Sequence, residues 1–305
     1  MPVAQYDDFP EDDEPLAIAT LTKDLREAAK TMGRREARYL VDTYYTLQEH
    51  RMATAKQMAD TAASGEPHAT LAFVSDQFAI MEMRVKSLLD IYSKNQELGK
   101  RIRAVKGIGP VIAAGLLANI DMEPWRCARV TAKTKACHPE ESHGPECRRE
   151  RIETVGHIWR FAGLDPTTTW DKGEKRPWNA RLKVLCWKIG ESFVKVSGRE
   201  DALYGRLYAQ RKGIELAKNE AGAFADQAKA ALSAKRYGVD TVARKWYEEG
   251  KLPPAHIHAR AKRWAVKLFL AYYHREAYRL HFGAEPPKPY PIAILGHAHE
   301  VWPTE

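Results

Sequence analysis

Within the run Arg103-Ala104-Val105-Lys106-Gly107-Ile108-Gly109-Pro110 of this 305-residue chain, the last five residues have the types and spacing to hold a phosphate. Gly107 and Gly109 can take the positive φ values and the close approach that a two-glycine turn demands. Pro110 suits the first position of a following helix, where a missing N–H costs nothing. The free amides of that helix start, with the positive end of its dipole, form an anion site, and Lys106 adds a mobile charge beside them. Ile102, Val105, Ile108, Ile112, Leu116 and Leu117 would close a small core between the two helices. A glycine-capped helix join that binds nothing is the plainer reading of the same residues.

A second constellation is Cys127, Cys137, His143 and Cys147, spaced Cys-x9-Cys-x5-His-x3-Cys. Three thiolates and an imidazole suit a closed, structural tetrahedral zinc site, with His138 as the substitute ligand if Cys127 stays in the core. Pro139, Gly144 and Pro145 argue against helix here, and a long polar loop needs something to order it. The alternative is a flexible loop whose thiols do nothing.

A third group is Lys172, Lys175, Arg176, Arg181 and Lys183, with Lys188 beyond, interleaved with Trp170, Trp178 and Trp187. Basic side chains neutralise phosphates and exposed aromatics stack on splayed bases. Trp187, beside Leu185, Cys186 and Ile189, reads as core, as does Trp159, whereas Trp170 and Trp178 fall in a loop where exposure is expected. A late stretch carries His256, His258, Arg260, Lys262, Arg263, Lys267, His274, Arg275 and Arg279. It is either a second phosphate-tracking surface or the solvated side of a buried helix.

The elements that must position these groups read as all-α. A long charged helical pattern over 16–63 ends at Ser64-Gly65-Glu66-Pro67. A second follows over 68–103, with Leu71, Val74, Phe78, Met81, Val85, Leu88, Ile91 and Leu98 as the seam of a helical hairpin or coiled coil. Further helices are expected over 152–161, 179–196, 204–211, 223–234, 239–248 and 255–282. The expected organisation is an acidic disordered tail 1–15, a helical hairpin or coiled coil 16–100, a helix-hairpin-helix domain 101–212 with an irregular, zinc-ordered or flexible insertion 121–156, C-terminal helices 213–283 and a Pro-rich arm 284–305.

The formal charge of +8 favours polyanionic partners without identifying one, and the body is more basic still, because Asp7, Asp8, Glu11, Asp12, Asp13 and Glu14 crowd the first residues. Nothing approaches the roughly 20 consecutive apolar residues of a membrane span, and an acidic start is the opposite of a signal peptide. A cytoplasmic protein without membrane contact is expected, its four cysteines thiols or metal ligands before disulfides.

The segment 155–197 contains Phe161-Ala162-Gly163-Leu164-Asp165-Pro166, then a glycine-containing basic loop, then a Lys- and Arg-rich helix. Together with Lys106-Gly107-Ile108-Gly109-Pro110 and the coiled coil before it, this resembles the C-terminal domain of the DEDD insertion-sequence transposases, whose recombinases use a bridge RNA. The resemblance covers about 75–211. It implies DNA binding with RNA as a second partner, and transposition as the ancestral process. Two departures weigh against catalysis. That family carries an RNase-H-like domain with four metal-binding acidic residues before its coiled coil, and no βαβ pattern stands there in this chain. Its nucleophilic serine follows Ala-Gly-Leu-x-Pro, where this chain reads Thr167-Thr168-Thr169-Trp170-Asp171-Lys172-Gly173.

The expectation is therefore a DNA-binding protein of transposase-like ancestry, homo-oligomeric through its coiled coil, with Lys106, Gly107, Ile108, Gly109 and the basic loop on the nucleic-acid backbone and no catalytic residue. A recombinase or nuclease subunit that draws its metal site, and magnesium, from a partner is the alternative; its nucleophile would be a loop threonine or Ser192. A coiled-coil assembly protein is the third reading.

Overall fold

The computed structural model describes residues 20–62, 64, 69–126, 147–234, 237–238 and 240–288, and the fold is all-α. The helices are α1 Lys23–Lys30, α2 Arg34–Ala62, α3 Ala69–Lys94, α4 Glu97–Arg103, α5 Pro110–Asn119, α6 Val155–Phe161, α7 Ala180–Lys195, α8 Leu203–Glu220, α9 Ala225–Ala234, α10 Val242–Glu248 and α11 Pro254–Phe282. Local signals set several ends. Thr22 caps α1 by accepting from the Leu25 amide, Asn179 caps α7 by accepting from the Leu182 amide, and Gly283, at φ +67°, closes α11.

At the centre lies α5. Ala113, Ala114, Gly115, Leu116, Leu117 and Ala118 are all buried, the expectation for a helix apolar on every side. Its small residues let neighbours close in: a Cβ added at Gly115 would stand 2.8 Å from a Leu185 methyl of α7. The Tyr273 hydroxyl of α11 donates to the Leu116 carbonyl at 3.4 Å. Beside it Phe193, Tyr204 and Phe269 join α7, α8 and α11, with ring centroids 5.3–5.7 Å apart. A second small cluster, Phe224, Ala228, Tyr247, Leu252 and Ile257, holds α9 and α10. The main core runs from Ala37 to Tyr278, and the expected boundary at 212 falls inside α8, so α11 shares one core with the glycine turn.

α2 and α3 run antiparallel. Asn95, just past α3, donates to the Lys30 carbonyl at the end of α1, and midway along the pair Glu82 accepts from Arg51 at 2.7 Å and Gln48 at 3.2 Å. The buried line of α3 is Glu82, Val85, Leu89, Tyr92 and Ser93, so the expected seam is corrected: Val85 keeps its place, while Val74 and Met81 are exposed, with Phe73 and Met83 beside them. The physical reason is that Arg51, Gln48 and Tyr44 satisfy Glu82, which lets a charged residue occupy a seam position that hydropathy assigns to a neighbour.

At the base of the expected insertion, β1 (Trp125–Arg126) pairs antiparallel with β2 (Arg148–Arg149), and the Arg149 guanidinium lies 5.0 Å from the Trp125 ring centre. Of the proposed zinc set only Cys147, half-buried and just ahead of β2, is among the described residues; Cys127, Cys137 and His143, with His138, lie outside them, as do the acidic tail and most of the Pro-rich arm. Among the described residues no helix is long and apolar enough to cross a membrane.

Candidate nucleic-acid interface

The turn between α4 and α5 meets the sequence expectation at one of its two glycines: Gly107 takes a positive φ, whereas Gly109 stays in ordinary extended backbone because it serves as the N-cap of α5. Gly107 adopts φ +97°, and a Cβ there would meet the Phe193 ring at 3.0 Å, so both backbone conformation and packing require glycine. Ile108 is buried and anchors the turn. Gly109, extended at φ −84° and ψ 177°, caps α5, Pro110 takes its first position, and a Cβ on Gly109 would meet nothing within 4 Å. Glycine at 109 therefore keeps the approach to the helix start open. The first intrahelical bond is Ala113 N–H to the Gly109 carbonyl, which leaves the Val111 and Ile112 amides without an intrahelical acceptor.

Lys106 is not a free charge. Its ammonium lies 3.3 Å from Asp201, which also receives two hydrogen bonds from Arg199 at 3.0 and 3.1 Å. Arg199, with Lys106 behind it, holds the Asp201 carboxyl down at about 2.

The basic loop is organised by Asp165, which accepts from the Thr167 amide at 2.9 Å, the Thr167 hydroxyl at 2.8 Å and the Thr168 hydroxyl at 3.3 Å. The Thr167 amide above all holds its carboxyl below the usual range. Trp170 and Trp178 are half-buried and meet edge to face at 6.1 Å, and the Trp170 indole donates to the Glu174 carbonyl at 2.8 Å. This corrects their expected exposure: the two rings pack edge to face, and Trp178 also lies against the Gly163 turn and under Lys183. The Arg176 guanidinium lies 5.5 Å from the Trp170 ring centre and the Lys183 ammonium 3.9 Å from that of Trp178. Lys172 and Lys175 are exposed.

The nine expected binding residues do not form one patch. Ser192, near the end of α7, touches Gly107, while Lys183 lies near its start, about 13 Å away at 1.5 Å per residue. Arg181, about 200° round the helix from Lys183, turns to α2 and pairs with Asp42 at 3.1 Å. The loop instead meets α11. Arg263 and Arg176 both depress the Lys183 ammonium, behind desolvation as the main cause, and Lys267 sits 4.3 Å from the Trp159 ring centre and near Asp165. The two basic stretches read separately in the sequence thus meet on one face.

Trp187 overturns the expectation of a core residue: it is 55% exposed. The buried stripe of α7 is Leu182, Leu185, Cys186, Ile189 and Phe193, and Trp187 stands about 100° beyond Cys186. That period was readable, and adjacency to apolar neighbours misdirects. Desolvation raises the Cys186 thiol to about 12, so it stays protonated.

Three of the four hydroxyls proposed as alternative nucleophiles are hydrogen-bonded. Ser192 donates to the Gly107 carbonyl at 2.5 Å, and Thr167 and Thr168 serve Asp165. Thr169 and Asp171 are exposed loop residues. Among the described residues no group of three or more His, Cys, Asp or Glu side chains is placed to hold a metal ion. Comparison with protein-family models, with curated proteins and with solved structures gives no match to this chain.

Proposed function

We propose that this protein binds nucleic acid, DNA first and RNA as the competing ligand, through the face where the loop 165–179, the start of α7 and α11 converge. One observation carries the reading. Among the described residues Lys172, Lys175, Arg176, Lys183 and Arg263 have no carboxylate within ion-pair distance, whereas Arg51, Arg103, Arg181 and Arg260 each have one. Unpaired cations beside tryptophan rings suit a polyanion that carries aromatic bases. Backbone contacts of this kind position a strand without reading its sequence. The open amides at Gly109–Ile112 are a second, weaker anchor, because Lys106 must first leave Asp201. For Ser192, binding is favoured over strand transfer, because its hydroxyl donates to the Gly107 backbone carbonyl and not to a general base.

The test is binding of single-stranded and duplex DNA and of structured RNA across a salt series. Affinity should fall steeply with salt, and Lys172→Ala, Lys175→Ala and Arg176→Ala combined should flatten the single-strand slope by about 2 units. Affinity indifferent to salt, or to this triple change, would overturn the reading.

A further inference from the structure

A cavity of about 220 Å³ opens between α7, α11 and the Gly163–Leu164 turn, on the face just described. Its floor is apolar: Leu164, Val266 and the protonated Cys186 line it. Two glycines let the elements around it pack closely. A Cβ at Gly163, which has φ +64°, would stand 2.9 Å from Trp178, and one at Gly190 would stand 3.3 Å from the Lys262 Cβ. Trp187 forms one wall with over half of its surface in water, an unusual cost for so large an apolar ring unless something covers it.

Three cations border the cavity, and they are not equivalent. Lys262 is neutralised by an ion pair with Glu191. Lys183 and Arg263 are exposed and have no carboxylate partner among the described residues; the nearby Asp165 faces Lys267. Desolvation, then the Arg260 charge, pulls Arg263 below its usual range, and desolvation, then Arg176 and Arg263, does the same to Lys183. Two like charges held together at the mouth of an apolar slot are relieved by an anion at that mouth.

The volume decides how much of a ligand enters. Pockets that enclose a whole drug-sized molecule measure roughly 300–1,000 Å³. This one has room for a ring but not for a sugar and phosphate as well. We propose that the cavity is a slot for one nucleobase, stacked on Trp187, whose adjoining phosphate lies at the mouth on Lys183 and Arg263. The inference deepens the preceding reading and rests on it, since the nucleotide comes either from a strand that splays one base into the slot or from solution.

The experiment uses the full chain, with thermal melts to confirm that each variant folds. Probes are deoxyadenosine 5′-monophosphate, deoxyadenosine, inorganic phosphate and a short oligodeoxyadenylate, read by tryptophan fluorescence against Trp187→Phe and by competition. The monophosphate should outcompete deoxyadenosine and phosphate, because it alone fills both parts of the site. Arg263→Ala and Lys183→Gln should abolish that advantage, and Trp187→Ala should weaken strand binding about tenfold. Strand binding lost with Trp187→Ala, without binding of the free nucleotide, supports the slot and assigns it to a strand. Binding of the free nucleotide without the strand supports the slot and overturns the preceding reading. Strand binding that Trp187→Ala and Arg263→Ala leave unchanged, but the loop triple variant weakens, overturns the slot alone. No binding of any probe overturns both.

Discussion

The Ser192 hydroxyl reaches across from α7 to donate a 2.5 Å hydrogen bond to the Gly107 carbonyl, fastening the glycine turn to a helix 85 residues downstream. Ser192 thereby becomes part of the scaffold of the turn. Ser192→Ala should cost about 1 kcal/mol in a urea titration, the usual worth of one such bond. Gly107→Ala should cost about 1–3 kcal/mol, since it imposes a positive φ on a residue with a Cβ and presses that Cβ on Phe193. Equal stability of Gly107→Ala and the native chain would refute this account of the turn.

Lys106 and Asp201 form an exposed pair that competes with any phosphate at the turn. With the Asp201 carboxyl near 2, it is ionised throughout the physiological range and the competition is permanent. Asp201→Asn should therefore release Lys106 and steepen the salt dependence of DNA binding by about one unit, with little change in melting temperature. An identical slope in both proteins removes the hairpin from the interface.

Glu215, 1% exposed, takes Arg211 from its own helix and Arg260 from α11, so one carboxylate joins the two helices. Burial pushes its pKa up, but the guanidiniums of Arg260 and Arg211 together outweigh burial and hold it below 4.5. The stability this contributes is complete above pH 4.5 and is lost as pH falls through the lower native value. Glu215→Gln should destabilise by about 3 kcal/mol at pH 7, the low end for a broken buried pair because both arginines keep some solvent, and should flatten the acid limb. Parallel acid-unfolding curves for the two proteins would contradict it.

His274 is buried on α11 against the Ile152 carbonyl at 2.9 Å, next to the strand pair. Desolvation, then the neighbouring His157, depresses its pKa below 6.5, against the Ile152 carbonyl and Glu153. The unfolded chain then takes up the proton first, so stability is full above pH 6.5 and declines as pH falls below it. Melting temperature should drop between pH 7 and pH 5, and His274→Gln should remove part of that drop. His256 and His258, shifted the same way by desolvation, contribute to the remainder. A native melting temperature that stays constant over this interval defeats the prediction.

Local chemistry made much of the fold readable from the chain alone. A Gly-x-Gly-Pro turn, an asparagine cap ahead of α7, and apolar residues at helical spacing act within a few residues of themselves, so the turn, the helices and the buried Ile102, Val105, Ile108, Leu116 and Leu117 follow from short-range rules. What the sequence left open was which charges remain unpaired and which rings face water. Arg181 looks like a phosphate ligand until Asp42 of α2 is seen beside it, and Glu82 looks like a surface residue until Arg51 arrives from across the helix pair. Lys183 and Arg263 are 80 positions apart and share the mouth of one cavity only because α7 and α11 pack side by side. A helical period says which residues share a face, but the partner that covers or neutralises that face is chosen by the packing of distant elements, and only the tertiary structure decides it.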